Sequence, residues 1–266
     1  MDKKNKQKRT AGDIIRTIII IVALAVFLFS VAQLAKIFME YKKGTDEYDR
    51  VREYVATPVP QEEPQEPVEE EETKPIPPQV DWANLKAING DIIGWIQIEG
   101  TEISYPIVKG KDNSYYLKHT FEKNTNAAGA IFMDYTNSSD FQDCNTLIYG
   151  HNMKNGSMFG RLKQLIRDGS LCDSDPYFYL FTKEAAYRYR IAAFYVTEDG
   201  SDAYMLPESA EQAEKYLEKA MAASLYRCRE VLPEDAPVVT LSTCYGKAGG
   251  TQRFVVHGVQ DKMKEY

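Results

Sequence analysis

Val238-Val239-Thr240-Leu241-Ser242-Thr243-Cys244 is an apolar, β-branched run that ends on a thiol and passes directly into the glycine-rich Tyr245-Gly246-Lys247-Ala248-Gly249-Gly250. β-Branched side chains pack well on a pleated surface, and a short apolar run bounded by a glycine-rich turn reads as a buried strand. A thiol at the end of such a strand is held rigidly yet stays accessible through the loop, as a nucleophile must be. A packed structural cysteine fits the same local pattern equally well. The role of Cys244 therefore has to be read from its partners.

A free thiol has a pKa of about 8.5 and attacks as the thiolate, so it needs a cation or base beside it. Of the three histidines, His151 follows the strand-like Asn145-Thr146-Leu147-Ile148-Tyr149 in the turn Gly150-His151-Asn152-Met153, a strand end like that of Cys244. His119 sits in a polar stretch with no strand to place it. His257 lies inside the run Arg253-Phe254-Val255-Val256-His257 and reads as a packed or surface residue. Arg253 opens that run just after the Cys244 loop, so neighbouring strands would bring both side chains to one end of a sheet. A guanidinium there can stabilise the oxyanion of acyl transfer without losing its proton. Without that context it reads as a surface arginine paired with a carboxylate.

Further strands are expected over 93–98, 102–108, 129–134, 178–181 and 186–197, with turns between them. Asp81 is expected to cap a short helix carrying Trp82, Leu85 and Ile88 on one face. A longer helix is expected from Pro207 to Tyr226, where Ala213, Tyr216, Leu217, Ala220, Met221 and Leu225 share a face. Short strands with few helices point to a closed barrel or sandwich, here a mixed barrel with an N-terminal helix and one inserted helix.

The chain ahead of this region is of another kind. Thr17 to Ala35 carries no charged residue, and as a helix it would be about 28 Å long, the thickness of a bilayer core. A cleaved secretory signal has a shorter apolar region and a small-x-small site, so an uncleaved signal anchor is expected. Lys3, Lys4, Lys6, Lys8, Arg9 and Arg16 precede it and are expected to stay on the cytoplasmic side. Between Thr57 and Val80, Pro58, Pro60, Pro64, Pro67, Pro75, Pro77 and Pro78 alternate with Glu62, Glu63, Glu66 and the run Glu69 to Glu72. Such a segment is an extended spacer, reaching roughly 70 Å in polyproline II geometry. The expected organisation is a basic cytoplasmic tail at 1–16, a transmembrane anchor at 17–38, an extracellular spacer at 39–80 and a catalytic domain at 81–266.

The formal charge of −7 argues against a nucleic-acid partner, which would require a concentrated Lys/Arg face. Cys144, Cys172, Cys228 and Cys244 include no Cys-x-x-Cys pair, which leaves a zinc site unsupported. Two disulfides are the alternative for an extracellular domain, but a core of about 185 residues does not need them.

The runs TLSTC ending at Cys244 and YGH ending at His151, with Arg253 beyond, resemble a sortase. DIIGWIQIEGTEISYPIV from Asp91, KDNSYYL from Lys111, GAIFMDY from Gly129 and NTLIYGHNMKNGSMFGRL from Asn145 resemble class B in particular. The resemblance implies an eight-stranded sortase barrel and a transpeptidase that uses no cofactor. Such an enzyme cleaves a C-terminal sorting motif, NPxTx-like or PxTG-like, after its threonine. It implies a Cys244 thioester, His151 as the acid and base for the two amines, and Arg253 on the substrate backbone and oxyanion. By position in matching blocks, Asn113, Tyr149, Ser242 and Tyr204 would line the substrate groove. The partners implied are secreted proteins bearing the motif and an amine of peptidoglycan or its lipid-linked precursor. The loop 245–252 is richer in glycine than the more acidic loop of some class B members. A pilin-polymerising enzyme with a lysine acceptor and a catalytically silent surface-binding module are the alternatives.

Overall fold

The run that ends on Cys244 is one strand of a closed eight-stranded barrel. The structure, a computed structural model, describes residues 11–56, 78–167, 176–226, 232–233, 235–247 and 249–266. Residues 1–10 of the basic tail, the proline-rich stretch 57–77, Cys172 and Cys228 lie outside the described residues.

In chain order the elements are α1 (Ala11–Arg52), a small ladder of β1 (Val55–Ala56) and β2 (Gln79–Val80), α2 (Trp82–Ile88), β3 (Ile92–Ile98), β4 (Ile103–Lys109), β5 (Ile131–Met133) and β6 (Asn145–Tyr149). There follow α3 (Gln164–Arg167), β7 (Tyr177–Phe181), β8 (Ala185–Glu198), α4 (Ala210–Ala223), β9 (Val238–Cys244) and β10 (Gln252–Glu265). Around the barrel the order is β10-β8-β7-β3-β4-β5-β6-β9, closing between β9 and β10. The β4–β5 and β6–β9 pairs are parallel and the rest antiparallel. Closure pairs each of the eight barrel strands on both sides.

β9 is buried along its length except at Cys244, as expected for an apolar strand covered on both faces. Alternation sends Val239, Leu241 and Thr243 to one side and Thr240, Ser242 and Cys244 to the other. Tyr216 on α4 covers Thr240, and Tyr204 covers Ser242. Asp81 caps α2 through the Asn84 N–H at 3.1 Å, as its position predicts.

Two expected elements are shorter in the structure. α4 starts after Ser209, whose hydroxyl accepts the Gln212 N–H; this N-cap excludes Pro207 and Glu208, and Ser224 ends the helix in extended backbone. β5 begins at Ile131 because Gly129, at φ +58°, takes a left-handed turn that a strand cannot contain.

The described residues fall into two compact units, the first ending at Lys43 and the second beginning at Gly44. In the first, α1 exposes an apolar surface that includes Ile18, Ile21, Phe27 and Phe29, and the helix is long and apolar enough to cross a membrane. The second begins earlier than the expected boundary at residue 81, because the last turns of α1, assigned to the spacer on composition, carry a buried face. Tyr48 and Val51 are 3% and 1% exposed. The Tyr48 hydroxyl donates to Gly129 O at 2.6 Å and accepts the Phe121 N–H, while the Glu47 carboxylate accepts the Glu122 N–H at 2.9 Å.

His257 is wholly buried beneath α4. Its Nδ1 lies 3.0 Å from the Tyr216 hydroxyl and 2.9 Å from Thr240 Oγ1. The Tyr216 hydroxyl donates to Ala203 O, and Thr240 donates to Asn145 Oδ1, so Nδ1 carries the proton and donates to this pair. Nε2 has no partner. Protonating it would place a charged N–H in the core with no acceptor, and burial accordingly pushes the pKa down to about 3. The folded state thus binds a proton less readily than the unfolded chain. Stability is complete above the ordinary histidine value of about 6.5 and is lost as pH falls from there towards 3. At pH 5 the expected contribution of His257 is a loss of about 2 kcal/mol. Urea unfolding at pH 7.5 and pH 5 should show a drop larger by this amount in the wild type than in His257→Gln, with turnover of the variant nearly intact. Equal drops would contradict the buried, neutral assignment.

Candidate active site

The parallel pairing of β6 with β9 runs to Tyr149 opposite Ser242, and the Gly150 N–H extends it by donating to Ser242 O at 3.1 Å. The next residue, His151, is thereby delivered beside the end of β9. The antiparallel pairing of β10 places Arg253 directly across from Cys244. Asn152 adds a tie between the first and second of these strand ends, its Nδ2 donating to Cys244 O at 2.7 Å. His151 is thus brought from a distant part of the sequence to Cys244 and Arg253 through two strand pairings with fixed register.

His151 Nε2 lies 2.8 Å from Leu117 O. A carbonyl only accepts, so Nε2 carries the proton and Nδ1 is the nitrogen left to exchange a proton with the thiol. Leu117 ends a 3₁₀ turn, Tyr115–Leu117, so this turn orients the imidazole. The hydrogen bond from His151 lowers the Cys244 pKa, Arg253 lowers it further, and burial and the Asp199 carboxylate oppose them. Reciprocally, the thiol raises the His151 pKa and the Leu117 carbonyl adds to this, against burial. Both shifts favour a thiolate–imidazolium pair.

The rate of iodoacetamide modification at Cys244, followed by peptide mass from pH 4 to 10, should therefore inflect below the ordinary cysteine value of about 8.5. His151→Ala should move the inflection up. An inflection that stays in place in the variant would show that the imidazole does not set the thiol's acidity.

Cys244, His151 and Arg253 line a cavity of about 590 Å³, and Asn113, Tyr149, Ser242 and Tyr204 line it with them. All of the residues singled out in the sequence are brought together. Their hydrogen bonds are partly spent within the wall, however. Ser242 is 3% exposed, and its hydroxyl lies 2.7 Å from that of Tyr204. Tyr149 and Asn113 both donate to Asp134 Oδ2, at 2.9 and 2.7 Å, and Asn113 Oδ1 accepts the Tyr135 N–H. Asp134 Oδ1 accepts from the N–H and hydroxyl of Thr136.

Asp134 is thus the buried post on which two wall residues hang, and sequence reasoning passed over it although it lies in the GAIFMDY run. Asp199, Leu117, Leu206 and Asn152 were also missed. Asp199 stands in an ordinary Asp-Gly turn after β8, and its partner, Arg253, is on another strand. The other histidines lie elsewhere. His119 is stacked on Tyr115 with centroids 4.0 Å apart, and its Nδ1 is 2.8 Å from Tyr115 O. His257 is the packed residue described above. Cys144 and Cys244 are free thiols, and among the described residues no group of three or more His, Cys, Asp or Glu side chains is placed to hold a metal ion.

The family described as Sortase domain matches residues 96–261, a span that includes every residue of this constellation. The chain is 38% identical over 165 residues to Sortase B of Listeria monocytogenes, which covers 60% of this chain and 65% of that protein. It is 29% identical over 175 residues to Sortase B of Staphylococcus aureus, covering 65% and 71%. A crystal structure of sortase B from Bacillus anthracis in complex with AAEK1 superposes with a TM-score of 0.67 at 32% identity, over 85% of this chain and 99% of that one. The chain therefore spans a little under two thirds of the length of the Listeria relative.

Proposed function

Because the chain belongs to the sortase family and its relatives above are sortases of class B, we propose that it is a membrane-anchored cysteine transpeptidase that joins secreted proteins to an amine of peptidoglycan or its precursor. The observation that carries this reading is the convergence of His151 and Arg253 on the exposed Cys244 thiol at one end of the barrel.

The Cys244 thiolate attacks the carbonyl carbon of the threonine in a C-terminal sorting motif. The electron pair moves to the carbonyl oxygen, and the Arg253 guanidinium faces that developing charge. Collapse breaks the peptide C–N bond as the His151 imidazolium passes its proton to the departing amine, leaving a thioester and a neutral imidazole. An incoming amine attacks the thioester, His151 takes its proton, and the thiolate leaves. One peptide bond is exchanged for another, and no net proton is consumed. Asn113, Tyr149, Ser242 and Tyr204 form the groove wall that holds the motif in register with the thiol.

Basic residues ahead of α1 support a cytoplasmic N-terminus, with the barrel outside the cell. The test is incubation of the full-length protein in detergent with NPxTx-type and PxTG-type peptides and two kinds of amine, a cross-bridge peptide and a pilin-type lysine peptide. Cleavage after threonine with ligation to the cross-bridge amine is expected. Ligation only to the lysine peptide would move the assignment to pilus assembly, and no cleavage of any peptide would overturn it.

A further inference from the structure

Asp199 lies in the turn that follows β8, and its Oδ2 is 2.9 Å from Arg253 Nη2. Its backbone is fastened to the same region, since the Asp199 N–H donates to Thr251 O at 2.8 Å, two residues ahead of Arg253. The other arm of the guanidinium is also held: Nη1 donates to Gly250 O at 2.8 Å and Gln252 O at 3.0 Å. A guanidinium has five N–H donors in a planar fork. These bonds use one hydrogen on Nη2 and both on Nη1, which leaves Nε–H and the second Nη2 hydrogen for another acceptor.

The ion pair is therefore compatible with a role for Arg253 towards an oxyanion; it fixes the plane of the fork and leaves donors over. Most exposed ion pairs contribute little. This one differs in being anchored at both arms and by the backbone of the acid itself, and in lining the cavity that holds the thiol. The Arg253 side chain is 20% exposed, against 58% for Asp199, so the acid is the solvent-side clamp on a largely covered cation.

We propose that Asp199 is a positioning residue of the reaction: it holds the Arg253 guanidinium with its unused donors facing Cys244 and offsets part of that cation's field at the sulfur. The assignment rests on the transpeptidase reading above. Four groups that line the cavity act electrostatically on the thiol: His151 from the end of β6, Arg253 from β10, Asp199 from the turn after β8 and the Tyr204 phenol from the wall. Of these, Asp199 is the one that raises the thiol's pKa, so its removal has a signature that loss of packing does not share.

The test uses the full-length protein in detergent and the variants Asp199→Asn and Asp199→Glu. Asp199→Asn keeps the side-chain shape on an exposed turn, and an unchanged Tm confirms that it folds. Its kcat for ligation of a sorting-motif peptide should fall about tenfold with KM within about twofold, because geometry at the reacting centre is lost and not affinity. At the same time the inflection for iodoacetamide modification of Cys244 should move to lower pH. Asp199→Glu, which keeps the charge, should hold the inflection near the wild-type position and restore part of kcat. A fall in kcat with no movement of the inflection, or no change in either, would overturn the proposal. If the wild type cleaves no peptide at all, the transpeptidase reading fails, and the inflection alone decides: a downward shift in Asp199→Asn supports the Asp199–Arg253–Cys244 coupling and an unmoved one refutes it.

Discussion

Cys244→Ala is expected to reduce peptide cleavage and amine ligation to background, a loss of at least about 10⁴-fold, since Cys244 is the one thiol among the residues described as lining the cavity. Ser242, the nearest hydroxyl on the same face of β9, is buried and engaged with Tyr204, and it lies one pleat deeper than the sulfur. The substitution should leave Tm unchanged, because Cys244 is the exposed last residue of its strand. Chromatographic assay of cleaved and ligated peptide measures the effect. A variant that kept a tenth of wild-type turnover would remove Cys244 from the mechanism.

His151→Ala is expected to cost about 10³-fold, because it removes two functions at once. The thiol loses the hydrogen bond that most lowers its pKa, and the leaving amine loses its proton donor. The two losses differ in pH dependence. At neutral pH the thiol of the variant is mostly protonated and the rate is low. Raising the pH restores thiolate but not the proton donor, so the residual rate should climb with pH through the unassisted thiol pKa and level off well below wild type. A variant whose rate recovered fully at high pH would show that His151 serves only to ionise the thiol. A loss under about tenfold at neutral pH would exclude it from both roles.

Much of the barrel was legible because its strands are β-branched, apolar runs separated by turn residues, and the span of β6 was read to the residue. The proximity of Cys244 and Arg253 was legible too, since a short glycine-rich loop between two strands makes them antiparallel neighbours and so pairs their facing ends. The approach of His151 was not a matter of spacing. It depends on a parallel pairing of β6 with β9, strands with α3, β7, β8 and α4 between them; the apolar run before His151 placed it at a strand end, and the resemblance of the YGH and TLSTC runs to a known family pointed to which strand end it meets. Asp134 and Asp199 escaped for a related reason: a carboxylate in a turn gives no local sign of which distant side chain it will meet. The end of α1 escaped because composition there is polar on average, whereas burial depends on the few positions, Tyr48 and Val51, that face inwards. The beginning of β5 and both ends of α4 were set by a left-handed glycine and by serines at the caps, local features that an apolar pattern overruns.

The intact mass of the full-length protein, incubated with a sorting-motif peptide in the absence of any amine, tests the proposed chemistry most directly. The expected result is an adduct equal to the peptide up to and including its threonine acyl group, located on Cys244, absent from Cys244→Ala and discharged with a ligated product when an amine is added. Cleavage of the peptide with the adduct on another residue, or with none that the amine discharges, would contradict a thioester at Cys244.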